Sequence, residues 1–330
     1  MRNKRLFGAL IPLVRCRKGS RMKSFEGCRG LPILALCLIV GLPFQNASAT
    51  EALPLASENA EQAFPGRTGE RRTGLFETPW GDVELEYQVI DGQPVLEGDI
   101  LLPAEAGSPY YEADSQLPEN RSAGVSVLGR RWPRGIIPVE ASGLARDARV
   151  TQAIRHWEER TSLRFEIGAT SGNRLRFVAP TDASVCSSSV GMQNTGAQNV
   201  NLGANCGVGQ AIHEIGHAIG LFHEQSRTDR NNFVIVNDGT GGTTDCILPG
   251  MKSNFNMFGA EGLNLGAYDF GSIMHYGSTF FLDTSKPGCT ATITRLDGTV
   301  INANRTRLSP GDIAGVMSLY PWPNWFWALF

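Results

Sequence analysis

The sequence predicts an α+β fold, because helical and strand periodicities occur in mixed order through its second half. Three observations carry this. Val150, Ala153, Ile154 and Trp157 fall at i, i+3, i+4 and i+7 and form one apolar stripe, so a helix is expected over about residues 146–160. Leu163, Phe165 and Ile167 alternate with charged residues, the pattern of a half-buried strand. Ser309, Pro310 and Asp312 make a capping-box start for a last helix through Leu319. Leu175 with Phe177 and Val200 with Leu202 suggest further strands, and a second helix is expected over about residues 209–221. From Val125 onward the chain reads as a packed domain, without an internal repeat.

The 330 residues are enough for one to three domains, and the formal net charge is -2. No basic stripe argues for a nucleic-acid partner and no acidic tail for a solvating segment. Near the N-terminus, Lys18, Arg21, Lys23 and Arg29 precede an apolar run from Leu31 to Phe44, then Ala47-Ser48-Ala49. That order is a secretory signal peptide over residues 1–49, cut after Ala49; Met22 is an alternative start. The run is short for a membrane span, so no stable membrane insertion is expected after processing; an uncleaved anchor is the alternative. Of seven cysteines, Cys16, Cys28 and Cys37 leave with this leader. Cys186, Cys206, Cys246 and Cys289 remain, an even number in an exported chain, and two disulfides with three possible connectivities follow. Residues 50–122 are mixed and polar, with one short apolar piece from Val95 to Leu102, then Pro, Gly, Ser and acidic residues to Arg121 as in a linker.

The chemistry lies in His213-Glu214-Ile215-Gly216-His217-Ala218-Ile219-Gly220-Leu221-Phe222-His223. Residues four apart on a helix stand one turn above each other, so His213 and His217 can aim at one ion. Gly220 lets the chain leave the helix through a conformation that costs other residues more, and the return delivers His223 as a third ligand. Three protein nitrogens leave one position open for water, as in a catalytic rather than a structural zinc site. Glu214, next to the first ligand, is placed to take a proton from that water as it attacks a carbonyl, and to pass it to the leaving amine. The zinc would polarise the carbonyl. Chance assembly of the full pattern is about one in a hundred thousand for typical residue usage. His275 lies near this arrangement, whereas His156 falls off the apolar stripe of its helix and is expected to be solvated.

This eleven-residue motif resembles that of the metzincin peptidases, and Glu224-Gln225-Ser226-Arg227 after it resembles the astacin family. Ser272-Ile273-Met274-His275-Tyr276 is similar to the astacin Met-turn, and Arg131-Trp132-Pro133-Arg134-Gly135-Ile136-Ile137-Pro138 to the start of the catalytic domain. The resemblance implies a metzincin, zincin-like domain over residues 123–330, ending in a short aromatic tail. Its two lobes flank a cleft. The upper lobe holds a twisted sheet, a zinc-binding active-site helix and a backing helix. One zinc ion would be held by His213, His217 and His223, with Glu214 as general base. Met274 would be an apolar floor, and Tyr276 an extra zinc-binding phenol that hydrogen-bonds the tetrahedral intermediate. Glu224 would meet the new N-terminal region after activation. Cys186 and Cys206 match a family disulfide; Cys246 and Cys289 would form a replacement bridge.

Leu96-Glu97-Gly98-Asp99-Ile100 resembles the astacin propeptide motif, in which an aspartate blocks the zinc. Residues 50–122 would then be a propeptide and Asp99 its zinc switch, a carboxylate replacing the catalytic water. No cysteine lies between residues 50 and 122, which excludes a thiol switch. Gly98 would let the backbone approach the cleft closely. The maturation cut is expected near Arg121–Ala123. The function so implied is a zinc-dependent endopeptidase, secreted as a zymogen, extracellular or periplasmic if bacterial. Its partners would be protein or peptide substrates and its own propeptide. A catalytically dead binding protein and an esterase-like zinc hydrolase are the competing classes; intact Glu214 and Tyr276 weigh against the first. Asn120 and Asn304 begin glycan acceptor patterns, relevant only in a eukaryotic secretory route.

Overall fold

The computed structural model of the chain describes residues 61–78, 81–103, 126–127, 130–257 and 264–321. The leader with its cleavage site, the polar linker with its expected cut, Asn120 and the aromatic tail after Pro321 lie outside the described residues.

The polar stretch before the packed domain carries strands that the sequence reading did not assign, upstream of the segment read as a linker. It forms four strands, β1 (Glu70–Thr78), β2 (Gly81–Ile90), β3 (Gln93–Leu96) and β4 (Ile100–Leu101). Val83, Leu85, Tyr87 and Val89 alternate with acidic or amide residues, so β2 turns one apolar face inward. Asp91 and Gly92 both adopt positive φ, 53° and 79°, the backbone that a two-residue turn between right-twisted strands requires. The next connection, Glu97-Gly98-Asp99, is a three-residue loop closed by the Leu96–Ile100 pair. Leu96 and Ile100 are fully buried, in a cluster with Phe76, Leu85, Tyr87, Leu102 and Val190. That cluster anchors the hairpin whose tip reaches the site described below.

A strand at Ser126–Val127 (β5) pairs parallel with β1. Next come β6 (Ile136–Val139), helix α1 (Ala148–Glu158), β7 (Arg164–Ile167), β8 (Arg174–Val178), β9 (Cys186–Ser188), β10 (Ala197–Leu202) and helix α2 (Val208–Ala218). The strands join in one mixed sheet ordered β5-β1-β2-β3-β4-β9-β10-β8-β6-β7. The first hairpins therefore continue the sheet of the packed domain through a parallel contact, Ile100 opposite Ser188.

Helix α1 begins where Asp147 accepts a hydrogen bond from Arg149 N (2.8 Å). Its stripe Val150, Ala153, Ile154 and Trp157 is buried as the periodicity predicts, and Trp157 Nε1 donates to Ile212 O of α2 at 3.1 Å. Helix α2 is buried along its whole length from Gly209 to Ala218. A disulfide joins Cys186 on β9 to Cys206, just before α2 (Cα–Cα 6.1 Å). Phe165 on β7 is buried, but Ile167 is 47% exposed, so the alternation breaks at the strand's end.

Beyond α2 the chain is irregular, with a two-stranded sheet of β11 (Val234–Val236) and β12 (Ile293–Arg295) and a separate core around Ile247, Phe255, Tyr268, Tyr276 and Phe281. Cys246 and Cys289 are joined here (Cα–Cα 5.3 Å). Helix α3 (Pro310–Leu319) starts with the predicted capping box. Its Asp312 also accepts from Ser272 Oγ (2.6 Å) and Ile273 N (2.9 Å), tying the helix start to the turn that carries Met274. The observed architecture is α+β.

Candidate metal centre

Helix α2 sets His213 and His217 one turn apart, with ring centroids separated by 4.7 Å. Gly220 then takes φ 111° and ends the helix, and Leu221 N bonds back to Gly216 O at 2.9 Å. The chain returns with His223 against both. Nε2 of His213 lies 3.1 Å from Nε2 of His217 and 3.3 Å from Nε2 of His223. Asp99 Oδ2 approaches the same three nitrogens at 3.3, 3.7 and 3.2 Å. Four atoms bound tetrahedrally at zinc–ligand lengths would stand about 3.3 Å apart, so the cluster has the size of one such ion. All four residues are buried.

The outer face of each ring confirms the direction of its lone pair. His213 Nδ1 donates to Ile273 O (2.8 Å), His217 Nδ1 to Leu221 O (2.8 Å) and His223 Nδ1 to Glu97 Oε2 (2.7 Å). Donation from Nδ1 leaves the lone pair on Nε2, the nitrogen that faces the cluster. Three nitrogens and a carboxylate crowded together in a buried site call for positive charge at their centre. Burial pushes the Asp99 carboxyl up, but the imidazoles, His223 first, outweigh it and hold it well below the usual carboxylate range. Burial also works against a charge on His223, yet Asp99 and then Glu97 raise that imidazole to about 10. Burial and the nearby Arg305 lower His213 to about 4.

Glu214 is fully buried, and neither carboxylate oxygen has a hydrogen-bond partner among the described residues. Burial first, then the charges of Asp99 and Glu61, raise its pKa well above the ordinary value. Met274 lies under the helix: a Cβ on Gly216 would come within 2.6 Å of its Sδ, so glycine there is what admits the thioether. The hydroxyl of Tyr276 donates to the carbonyl of Glu97, and its ring lies 4.6 Å from that of His223. Glu224 accepts from Asp269 N (2.7 Å) and lines a cavity with Arg227, Asp269 and Asp312; burial raises its carboxyl to about 7. His275 belongs outside the metal cluster, with Nδ1 donating to Tyr276 O and Nε2 accepting from Tyr268 Oη, each at 2.7 Å. His156 is half-buried rather than solvated, because its Nε2 accepts from Leu308 N at 3.0 Å.

Two contacts of the hairpin region escape sequence reasoning. Glu97 is buried against His223, Ser226 and Tyr276. Glu61 is buried against Arg305, which it meets through both carboxylate oxygens at 2.5 and 2.8 Å. Arg305 also donates to Ile273 O (2.7 Å), the same oxygen that accepts from His213 Nδ1. The Leu96–Ile100 motif was a signal for the first contact; nothing local marks the second.

The sequence profile of the Astacin peptidase family matches residues 125–321. The chain belongs to the astacin family of zinc metalloendopeptidases. This astacin is similar to Protein SpAN of Strongylocentrotus purpuratus, 31% identical over 272 residues, which are 79% of this chain and 42% of that protein. It is also similar to human Tolloid-like protein 1, 38% identical over 232 residues, 66% of this chain and 22% of that protein. The chain thus spans less than half the length of either relative. Among solved structures it resembles high choriolytic enzyme 1, a hatching enzyme zinc-protease from Oryzias latipes, at 29% identity over 58% of this chain and 94% of that one, TM-score 0.49. The astacin match covers all three histidines, Glu214, Glu224, Met274 and Tyr276, and begins beyond Asp99.

Proposed function

We propose that this chain is the zymogen of a secreted zinc endopeptidase, blocked by its own residues 50–122 and matured by a cut near Arg121–Ala123. The observation that carries the reading is the convergence of His213, His217 and His223 with Asp99, beside the unpartnered carboxylate of Glu214. Zinc, the ion that three imidazoles in this geometry suit, supplies Lewis acidity and a lowered pKa for water when bound.

The chain's own residues do the rest. His213, His217 and His223 hold the ion through Nε2. Asp99 occupies the position that a catalytic water needs, so the enzyme is silent while β3 and β4 stay docked. When they leave, Glu214 loses the two neighbouring negative charges, Asp99 and Glu61, that help to raise its pKa. Its carboxylate then takes a proton from the attacking water and delivers it to the departing amine. The hydroxyl of Tyr276, released from the carbonyl of Glu97, donates to the oxygen on which charge develops. While the hairpin is docked, burial first and then the charges of Asp99 and Glu97 raise the pKa of this phenol, so it is a donor there. Met274 supports the histidines from below. Glu224, in its cavity with Asp269 and Asp312, receives the amino group freed by the cut. Secretion accords with the leader and with the two disulfides. Substrates are extended peptide segments of proteins.

The test is casein hydrolysis by processed protein with and without chelator, beside a Glu214→Ala variant. Both chelation and the substitution should abolish cleavage. Activity surviving in the variant refutes the base assignment, and a mature N-terminus before Asp99 refutes the switch.

A further inference from the structure

The three metal-site histidines are not oriented alike. His213 and His217 lean on carbonyl oxygens of Ile273 and Leu221, which remain in the enzyme after any cut in the linker. His223 alone leans on a side chain from the preceding hairpin, Glu97, at 2.7 Å with both groups fully buried. Glu97 is itself held on three sides. One carboxylate oxygen faces His223, the other accepts from Ser226 Oγ, and its carbonyl accepts from Tyr276 Oη. Its φ of 50° is uncommon for a residue with a side chain, and the buried pair Leu96 and Ile100 on either side of the loop sustains it. The backbone can come this close because the next residue is Gly98, where a Cβ would stand 3.0 Å from Phe281 Cζ.

A carboxylate on the far nitrogen of a ligating histidine fixes the ring's tautomer and direction and raises its basicity; losing one costs about 10–100-fold in metal affinity. We propose that Glu97 is a positioning residue for the metal ligand His223. The zymogen then holds its ion more firmly than loss of the Asp99 ligand alone would account for, and maturation loosens the site. This rests on the zymogen reading above. It gives the hairpin tip two duties: Asp99 fills the inner coordination position, and Glu97 aims the third imidazole from outside.

The experiment uses the full-length zymogen loaded with zinc, or with cobalt for its visible spectrum, and challenged with a chelator. Glu97→Ala should lose zinc affinity by about 10–100-fold and alter the cobalt spectrum. Glu97→Gln, which keeps an acceptor oxygen, should recover most of the loss. Should the alanine variant fail to fold, Glu97→Met replaces it as an acceptor-free side chain of similar length. Wild-type zinc retention with an unchanged cobalt spectrum in the acceptor-free variant overturns the inference, as does a glutamine variant no better than it. Asp99→Ala separates the two levels. If it changes the spectrum while Glu97→Ala does not, the positioning role fails and the aspartate switch stands. If neither changes it, the switch fails as well.

Discussion

Glu61 and Arg305 form the buried ion pair of longest reach among the described residues, 244 residues apart in sequence. Their side chains are 1% and 11% exposed. Replacing Glu61 by alanine leaves a guanidinium without its counter-charge beside the metal site. Two routes to the magnitude agree. Burial, the largest single effect, pushes the Glu61 carboxyl up, but Arg305 and His213 together outweigh it and bring it from an ordinary 4.5 to about 2. At about 1.4 kcal/mol per pKa unit this corresponds to about 3 kcal/mol. Removing one partner of a buried pair costs about 3–5 kcal/mol, and Arg305 keeps its bonds to Ile273 O and Asn304 O, which favours the lower end. Denaturant unfolding of the disulfide-intact full chain measures it. Glu61→Ala, Arg305→Ala and the double variant form a cycle with an expected coupling of about 3 kcal/mol. A coupling below about 0.5 kcal/mol refutes the argument, because the pair would then be no better than a solvated surface contact.

The same group gives a pH dependence. Its folded pKa is depressed, so its contribution is full above 4.5 and is lost as pH falls toward about 2; wild type should lose stability more steeply than Glu61→Gln across that window in acid unfolding curves. Gly216→Ala pushes a methyl into Met274 Sδ and should destabilise by about 1–3 kcal/mol, seen as a lowered Tm. Replacing Cys246 and Cys289 together by serine opens a loop of sequence separation 43 and should cost about 2–4 kcal/mol in denaturant unfolding, without loss of the metal site.

What was legible in the sequence follows the reach of each interaction. The three histidines span eleven residues, and helix geometry with one glycine suffices to bring them together. Asp99 was readable only through the resemblance of Leu96 to Ile100 to the astacin propeptide motif. The strands before it were also written in the sequence, in the alternation from Val83 to Val89, but the surrounding polar composition hid them. Glu97 meets His223 across 126 residues, and no periodicity reports such a contact. His156 failed for a related reason: a face off the apolar stripe predicts water unless another segment arrives, and here Leu308 does.

The first four strands do not hang on the peptide bond that follows them. They share a hydrophobic cluster with Val190, pair with β9, and plant two carboxylates in the site. The proposed cut in the linker would therefore make them a separate molecule, not an absent one. On the proposed zymogen reading, the nicked product would be a bimolecular complex whose awakening obeys mass action: concentrated protein would stay dormant, while dilution, or a second protease that consumes the loosened fragment, would set the pace.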